Sequence, residues 1–166
     1  MDGPNARVLL IGYGNPARGD DGLGPALAAA VARLEMAGVT VESDYQLHVE
    51  HAADAAEHDV VIFADAEMGR DAPFSFRRLE PNPELSFTSH SVSPAGILGL
   101  AREFFEGTCS GYLLGIRGHV FGEFAEGLSV EASRNLHGAL AFLEAALRAR
   151  SFPETAHPDE PALAPG

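Results

Sequence analysis

The 166-residue chain is 46% apolar and 21% charged, which favours one compact domain with its own core over two smaller ones. Its 24 acidic residues against 11 basic ones, the latter all arginine, give a net charge of −13 at pH 7, a field that repels phosphate backbones and anionic lipid, so neither nucleic acid nor a membrane surface is an expected partner. No window approaches the apolar length of a membrane span, Met1-Asp2-Gly3-Pro4-Asn5 lacks the features of a secretory signal, and the single Cys109 excludes an internal disulfide, a combination that predicts a cytoplasmic protein held together by packing.

Along the chain, Arg7-Val8-Leu9-Leu10-Ile11 is a short apolar run ended by Gly12-Tyr13-Gly14, the pattern of a strand buried on both faces. From Pro25 to Met36 the spacing of Leu27, Ala30, Val31 and Leu34 is helical, with Pro25 suited to the first helical position and Gly38 as a stop. Val39-Thr40-Val41-Glu42 is a second strand, Glu50 to Glu57 a short helix, and Val60-Val61-Ile62-Phe63-Ala64 a third strand ending at Asp65. This β-α-β-α-β order predicts a mostly parallel sheet with helices on both faces, because parallel neighbours require a crossover.

Phe74-Ser75-Phe76-Arg77-Arg78-Leu79 alternates enough for an edge strand, and Pro81 and Pro83 interrupt the chain directly after it. Ser93-Pro94 reads as a cap and first residue of a helix whose stripe is Ile97, Ala101 and Phe104. Tyr112-Leu113-Leu114-Gly115-Ile116 is another buried strand, and Ser129 caps a long helix carrying Leu136, Leu140, Leu143 and Leu147. The expected architecture is α/β, a single-domain three-layer αβα sandwich over residues 1–150, followed by a disordered Pro-rich tail, 151–166.

The densest chemical signal is the loop Gly12-Tyr13-Gly14-Asn15-Pro16-Ala17-Arg18-Gly19-Asp20-Asp21-Gly22-Leu23-Gly24. Gly12-x-Gly14-x-x-Ala17 fits a relaxed dinucleotide fingerprint, which makes a non-enzymatic Rossmann-like nucleotide-binding module the alternative reading. Against it, Asp20 and Asp21 sit where a phosphate needs amide donors. Two adjacent carboxylates among glycines fit a cation better. Asp65 at a strand end and His90 in Thr88-Ser89-His90-Ser91-Val92-Ser93-Pro94 come from two further connections that the topology can bring to the same rim. Asp21, Asp65 and His90 would form an incomplete, oxygen-rich site for a borderline divalent ion, suited to a metal presented by a partner.

Other groups carry less. Gly107-Thr108-Cys109-Ser110-Gly111 has the look of a nucleophile elbow, but a helix precedes it and a strand comes after, the reverse of what an elbow needs. Cys109 is expected as a small buried residue. His48 and His51 are expected on a solvated helix face rather than as a ligand pair, and His119 beside the cleft. Asp20 is a candidate supporting partner or general base.

Taken together, Gly12-x-Gly14-Asn15, Asp20-Asp21-Gly22-x-Gly24, the strand ending in Asp65 and His90 before a capped helix resemble the nickel-iron hydrogenase maturation endopeptidases, over about Val8 to Arg150. The resemblance implies a peptidase, and the metal-ligand trio with no credible nucleophile elbow points to one without the usual serine or cysteine nucleophile. It would remove the C-terminal extension of a hydrogenase large-subunit precursor after nickel insertion, with Asp21, Asp65 and His90 contacting the substrate's nickel. A monomer that binds its precursor transiently is expected; a chaperone that recognises the immature subunit without cutting it is the remaining option. Two positions depart from the family pattern: Asp21 stands where many members have glutamate, and Tyr45-Gln46-Leu47 where a Gly-Gly-Thr type segment is usual.

Overall fold

The parallel sheet expected from the strand and helix alternation is present in the computed structural model, which describes residues 3–69, 72–82, 92–123 and 125–155. Its elements in chain order are β1 (Val8–Tyr13), two short 3-10 turns (Pro16–Arg18 and Asp20–Gly22), α1 (Leu23–Ala32), β2 (Val39–Asp44), α2 (Glu50–Ala56), β3 (Val60–Glu67), β4 (Phe74–Leu79), α3 (Pro94–Phe105), β5 (Ser110–Arg117) and α4 (Val130–Ala149). The sheet order is β2-β1-β3-β5-β4. Every pairing is parallel except β4 with β5, which is antiparallel.

Alternation along the strands divides the core into two layers. Leu10, Ile62, Leu114 and Phe76 pack under α1 and α4, while Leu9, Ile11, Val61 and Phe63 pack under α2 and α3. The three-layer αβα sandwich is therefore as expected. β1 and β3 are buried on both faces, which is why their sequences are continuous apolar runs rather than alternating ones.

Several boundaries differ from the sequence reading. α1 starts at Leu23, so Pro25 is its third residue, still inside the first turn where a missing N–H breaks no helical bond. The helix also ends earlier than Met36, because Glu35 turns to a φ of 47° ahead of Gly38 at 75°. β3 runs two residues past Asp65 to Glu67, since its pairing with β5 continues after the apolar run stops.

At α3, Ser93 caps as expected, its hydroxyl accepting from Gly96 N at 3.0 Å. The buried residues of that helix lie between Gly96 and Ala101. Phe104, expected on the buried stripe, is 65% exposed in the last turn. Ser129 caps α4 by accepting from Ala132 N at 3.1 Å, and the helix buries Ala132, Ala139, Leu143, Ala146 and Leu147.

The expected boundary between domain and tail also moves. Beyond α4 the chain lies along the outer edge of β4: Thr155 N donates to Phe76 O at 2.9 Å, Phe76 N to the Thr155 hydroxyl at 2.8 Å, and Arg78 N to Glu154 Oε1 at 2.7 Å. Phe152 is buried, its ring 5.6 Å from that of Tyr112. Residues 151–155 thus belong to the domain, because they cover an edge strand that would otherwise present unpaired backbone groups. The remainder of the expected tail, 156–166, lies outside the described residues.

Candidate active site at the carboxyl edge of the sheet

The parallel strands end together at one rim, where open α/β sheets collect ligands. Register places a row of residues across it. Asp44 on β2 lies opposite Tyr13 on β1, Gly12 opposite Ala64 so that Tyr13 and Asp65 are neighbours, and Gly115 on β5 opposite both Asp65 and Ser75. Asp65 follows Val61 and Phe63 on the face covered by α2 and α3.

Asp65 is the centre of this row. Its Oδ1 accepts from Ala66 N at 2.8 Å, and the Tyr13 phenol donates to the same carboxylate. Burial pushes the Asp65 carboxyl up to about 6; the bonds from Tyr13 and Ala66 pull against that rise, while the charges of Asp21 and Glu67 add to it. The Tyr13 phenol is pushed up as well, by burial first and then by the Asp65 charge.

Asp21 reaches the rim from the first loop. A Cβ on Gly12 would stand 2.2 Å from Gly24 O, and one on Gly24 would stand 2.5 Å from both Ala64 O and Tyr13 O. Glycine at both positions lets the first turn of α1 rest directly on the ends of β1 and β3, which fixes the loop beside Asp65. Gly14, at a φ of 143°, passes so close to Asp21 O that a Cβ would meet it at 2.0 Å. Asp21 Oδ2 accepts from Asn15 N at 2.7 Å. In a dinucleotide loop such an amide would face a phosphate; here a carboxylate already takes it, which disfavours the nucleotide alternative.

Of the two tasks expected of Asp20, its bonds fit the supporting one. It is fully buried, and its Oδ2 accepts from His119 N, Val120 N and the Ser129 hydroxyl at 2.7, 2.8 and 2.7 Å, while Oδ1 accepts from Ser129 N at 2.7 Å. Burial alone would raise its pKa, but the bonds from His119, Ser129 and Val120 outweigh that and hold the carboxyl below its usual range. A carboxylate so fully occupied is a clamp between the first loop and the start of α4, not a general base.

Glu67 and Tyr13 are the participants that sequence reasoning missed. Glu67 lies two residues beyond Asp65 on the same strand face, and its side chain folds over Gly115, where a Cβ would stand 2.0 Å from its Cδ. There the Ser75 hydroxyl donates to Glu67 Oε2 at 3.3 Å. The i, i+2 spacing of two carboxylates at a strand end was the available signal.

Shallow cavities flank the Asp21 loop. One, of about 230 Å³, is lined by Gly14, Pro16, Pro25, Ser43, Asp44 and Tyr45; another, of about 300 Å³, lies beside Pro16, Gly22, Pro25 and Leu128. His119 is at the rim as expected and helps line a third cavity of about 270 Å³ with Arg117 and Asn135.

Of the expected metal-contacting set, the structure brings Asp21 and Asp65 within electrostatic reach of each other, and His90 lies outside the described residues. Among the described residues no group of three or more His, Cys, Asp or Glu side chains is gathered closely enough to hold a metal ion. His48 and His51 stack at 5.7 Å, with His51 Nδ1 accepting from His48 N at 2.9 Å. His51 is buried rather than solvated, since it falls on the packed face of α2. Cys109 is half-buried, and burial pushes its thiol pKa up, away from the reactive thiolate.

No protein-family model and no curated protein matches the chain. Solved structures do. The [NiFe] hydrogenase maturation protease HycI from Thermococcus kodakarensis KOD1 is similar at a TM-score of 0.69 and 20% identity, over 86% of this chain and 93% of that one. An endopeptidase from Escherichia coli matches at 0.68 and 22%, over 93% and 99%; likenesses at these identities show the fold. The hydrogenase maturating endopeptidase HybD from E. coli matches at 0.63 and 29%, over 86% of this chain and 92% of that chain. The fold is the α/β fold of these endopeptidases and proteases. The chain is similar to the nickel-iron hydrogenase maturation endopeptidases, and the resemblance drawn from its sequence is borne out.

Proposed function

We propose that this protein removes the C-terminal extension from the large-subunit precursor of a nickel-iron hydrogenase once nickel is in place, and that it recognises the precursor through that nickel. The observation supporting this reading is that Asp21, on the first loop, and Asp65, on β3, stand at the same rim, where the Asp21 charge adds to the rise of the Asp65 carboxyl. Two carboxylates held this way suit a divalent cation, which relieves their mutual repulsion. His90 would complete the set. The precursor's nickel supplies the fixed point; Asp21 and Asp65 hold it, Tyr13 orients Asp65 through its hydroxyl, and the substrate tail is thereby placed along the rim. Water is the attacking group on the tail anchored in this way.

The test is incubation of purified protein with nickel-loaded and nickel-free precursor, followed by the size of the large subunit. Tail release from the nickel-loaded form alone, lost in Asp65→Asn and Asp21→Asn, is the expected result. Equal cleavage of both forms would remove the nickel requirement, and no cleavage of either would leave a chaperone that holds the immature subunit without cutting it.

A further inference from the structure

The described residues with large apolar side chains exposed to solvent are not spread evenly. Tyr45 follows the last residue of β2 and Met68 the last residue of β3; Val120 is in the connection that leaves β5, and Val49 and Val130 stand at the starts of α2 and α4. All five therefore surround the carboxyl rim. Phe104 and Phe105, the other two exposed large apolar residues, end α3 on the way into β5, at the opposite end of the sheet. Tyr45 and Met68 are 70% and 69% exposed and Val120 51%, so none of the three is needed to fill the core. Tyrosine and methionine are the side chains that protein interfaces favour.

Asp21, Asp44, Asp65 and Glu67 stand at the same rim. A partner that covered the apolar ring would also take these carboxylates out of water, which is costly unless it brings positive charge to them. An uncharged or acidic surface does not fit. Resting on the function proposed above, we infer that the rim is a protein-docking surface for a folded partner, the precursor itself. The complementary face of that partner is apolar at its margin and cationic at its centre, where the metal or arginine and lysine side chains meet the carboxylates. On this view much of the recognition is made outside the cleavage centre, by Tyr45, Met68 and Val120.

The experiment compares the unaltered protein with a Tyr45→Glu, Met68→Glu, Val120→Glu triple variant, and with Phe104→Glu, Phe105→Glu as a control of the same chemistry at the far end. Binding to immobilised nickel-loaded precursor and steady-state cleavage are both measured, with thermal unfolding as the check on folding. The triple variant is expected to bind roughly tenfold more weakly and to raise KM by a similar factor with kcat little changed, while the control behaves as the unaltered protein. Should the triple variant fail to fold, Tyr45→Glu and Met68→Glu alone carry the test, each with a smaller shift in the same direction. Unchanged binding and KM in the triple variant would overturn the docking surface while leaving the peptidase in place, as would a loss confined to the Phe104, Phe105 control. Rim-dependent binding without any cleavage would uphold the surface and remove the peptidase. No binding of the unaltered protein to the precursor would overturn the surface.

Discussion

Asp20 and Ser129 are 109 positions apart and share two hydrogen bonds of 2.7 Å, one from the backbone amide and one from the hydroxyl of Ser129. The same hydroxyl accepts from Ala132 N, so the cap of α4 and the first loop are one hydrogen-bonded unit. Asp20→Asn turns an amide NH2 toward one set of these donors and is expected to cost on the order of 3 kcal/mol in urea unfolding. The folded carboxyl lies below its ordinary range, so its contribution is present above the unfolded pKa and lost as pH falls through and below it. The variant should therefore flatten the acid limb of the stability curve below about pH 4. A variant as stable as the parent at pH 7 would show that the clamp carries no load.

Two glycines near the rim should respond differently to alanine. At Gly24 a Cβ meets backbone carbonyls of two strands, whereas at Gly115 it meets the end of the flexible Glu67 side chain. Gly24→Ala is expected to destabilise by about 3 kcal/mol or more. Gly115→Ala should cost less than about 1 kcal/mol yet lower cleavage, because Glu67 must leave its place over the row. Equal losses of stability in both would contradict this difference in surroundings.

The segment after α4 can be tested by truncation after Arg150. Removing Phe152 from its place against Tyr112, and Glu154 and Thr155 from β4, should cost about 3 kcal/mol, with Phe152→Ala alone giving most of it. The bared edge should also promote self-association, read by size-exclusion chromatography. A truncated protein with unaltered unfolding would return these residues to the tail.

On the opposite edge, burial pushes Glu42 up to about 7, helped by the charge and hydrogen bond of Asp54 and the charge of Asp44. His51 also faces it, with Nε2 3.9 Å from Glu42 Oε2. A folded pKa above the ordinary 4.5 means stability that is complete below that value and lost as pH rises through about 7. Glu42→Gln should match the parent at pH 4 and exceed it at pH 8 by on the order of 1–2 kcal/mol. Parallel stability curves across that range would exclude the effect.

Much of the fold could be read in the sequence because its central strands are buried on both faces and so spell uninterrupted apolar runs, as Val60 to Ala64 does. Ser93 and Ser129 were legible for a similar reason: a cap is a local bond. The features that escaped depended on distant chain. Nothing near Asp20 announces His119 and Ser129, so its sequence left a supporting partner and a general base equally open. Tyr13 read as part of a glycine turn, although its neighbour across the sheet is Asp65. Phe104 kept the helical period of Ile97 and Ala101, but period marks a face without saying how far the packing beneath extends. Proline content hid Phe152, Glu154 and Thr155, each with a specific partner on the sheet.

Tyr13, Asp65, Gly115 and Ser75 come from four strands and are level only when every ladder is in phase. Shifting β3 by a single residue would turn Asp65 toward the other layer and bring Ala64 or Ala66 in its place. A molecule with one strand misaligned would be compact and helical yet chemically blank, so the chemistry of the rim belongs to the phase of the whole sheet rather than to any one strand.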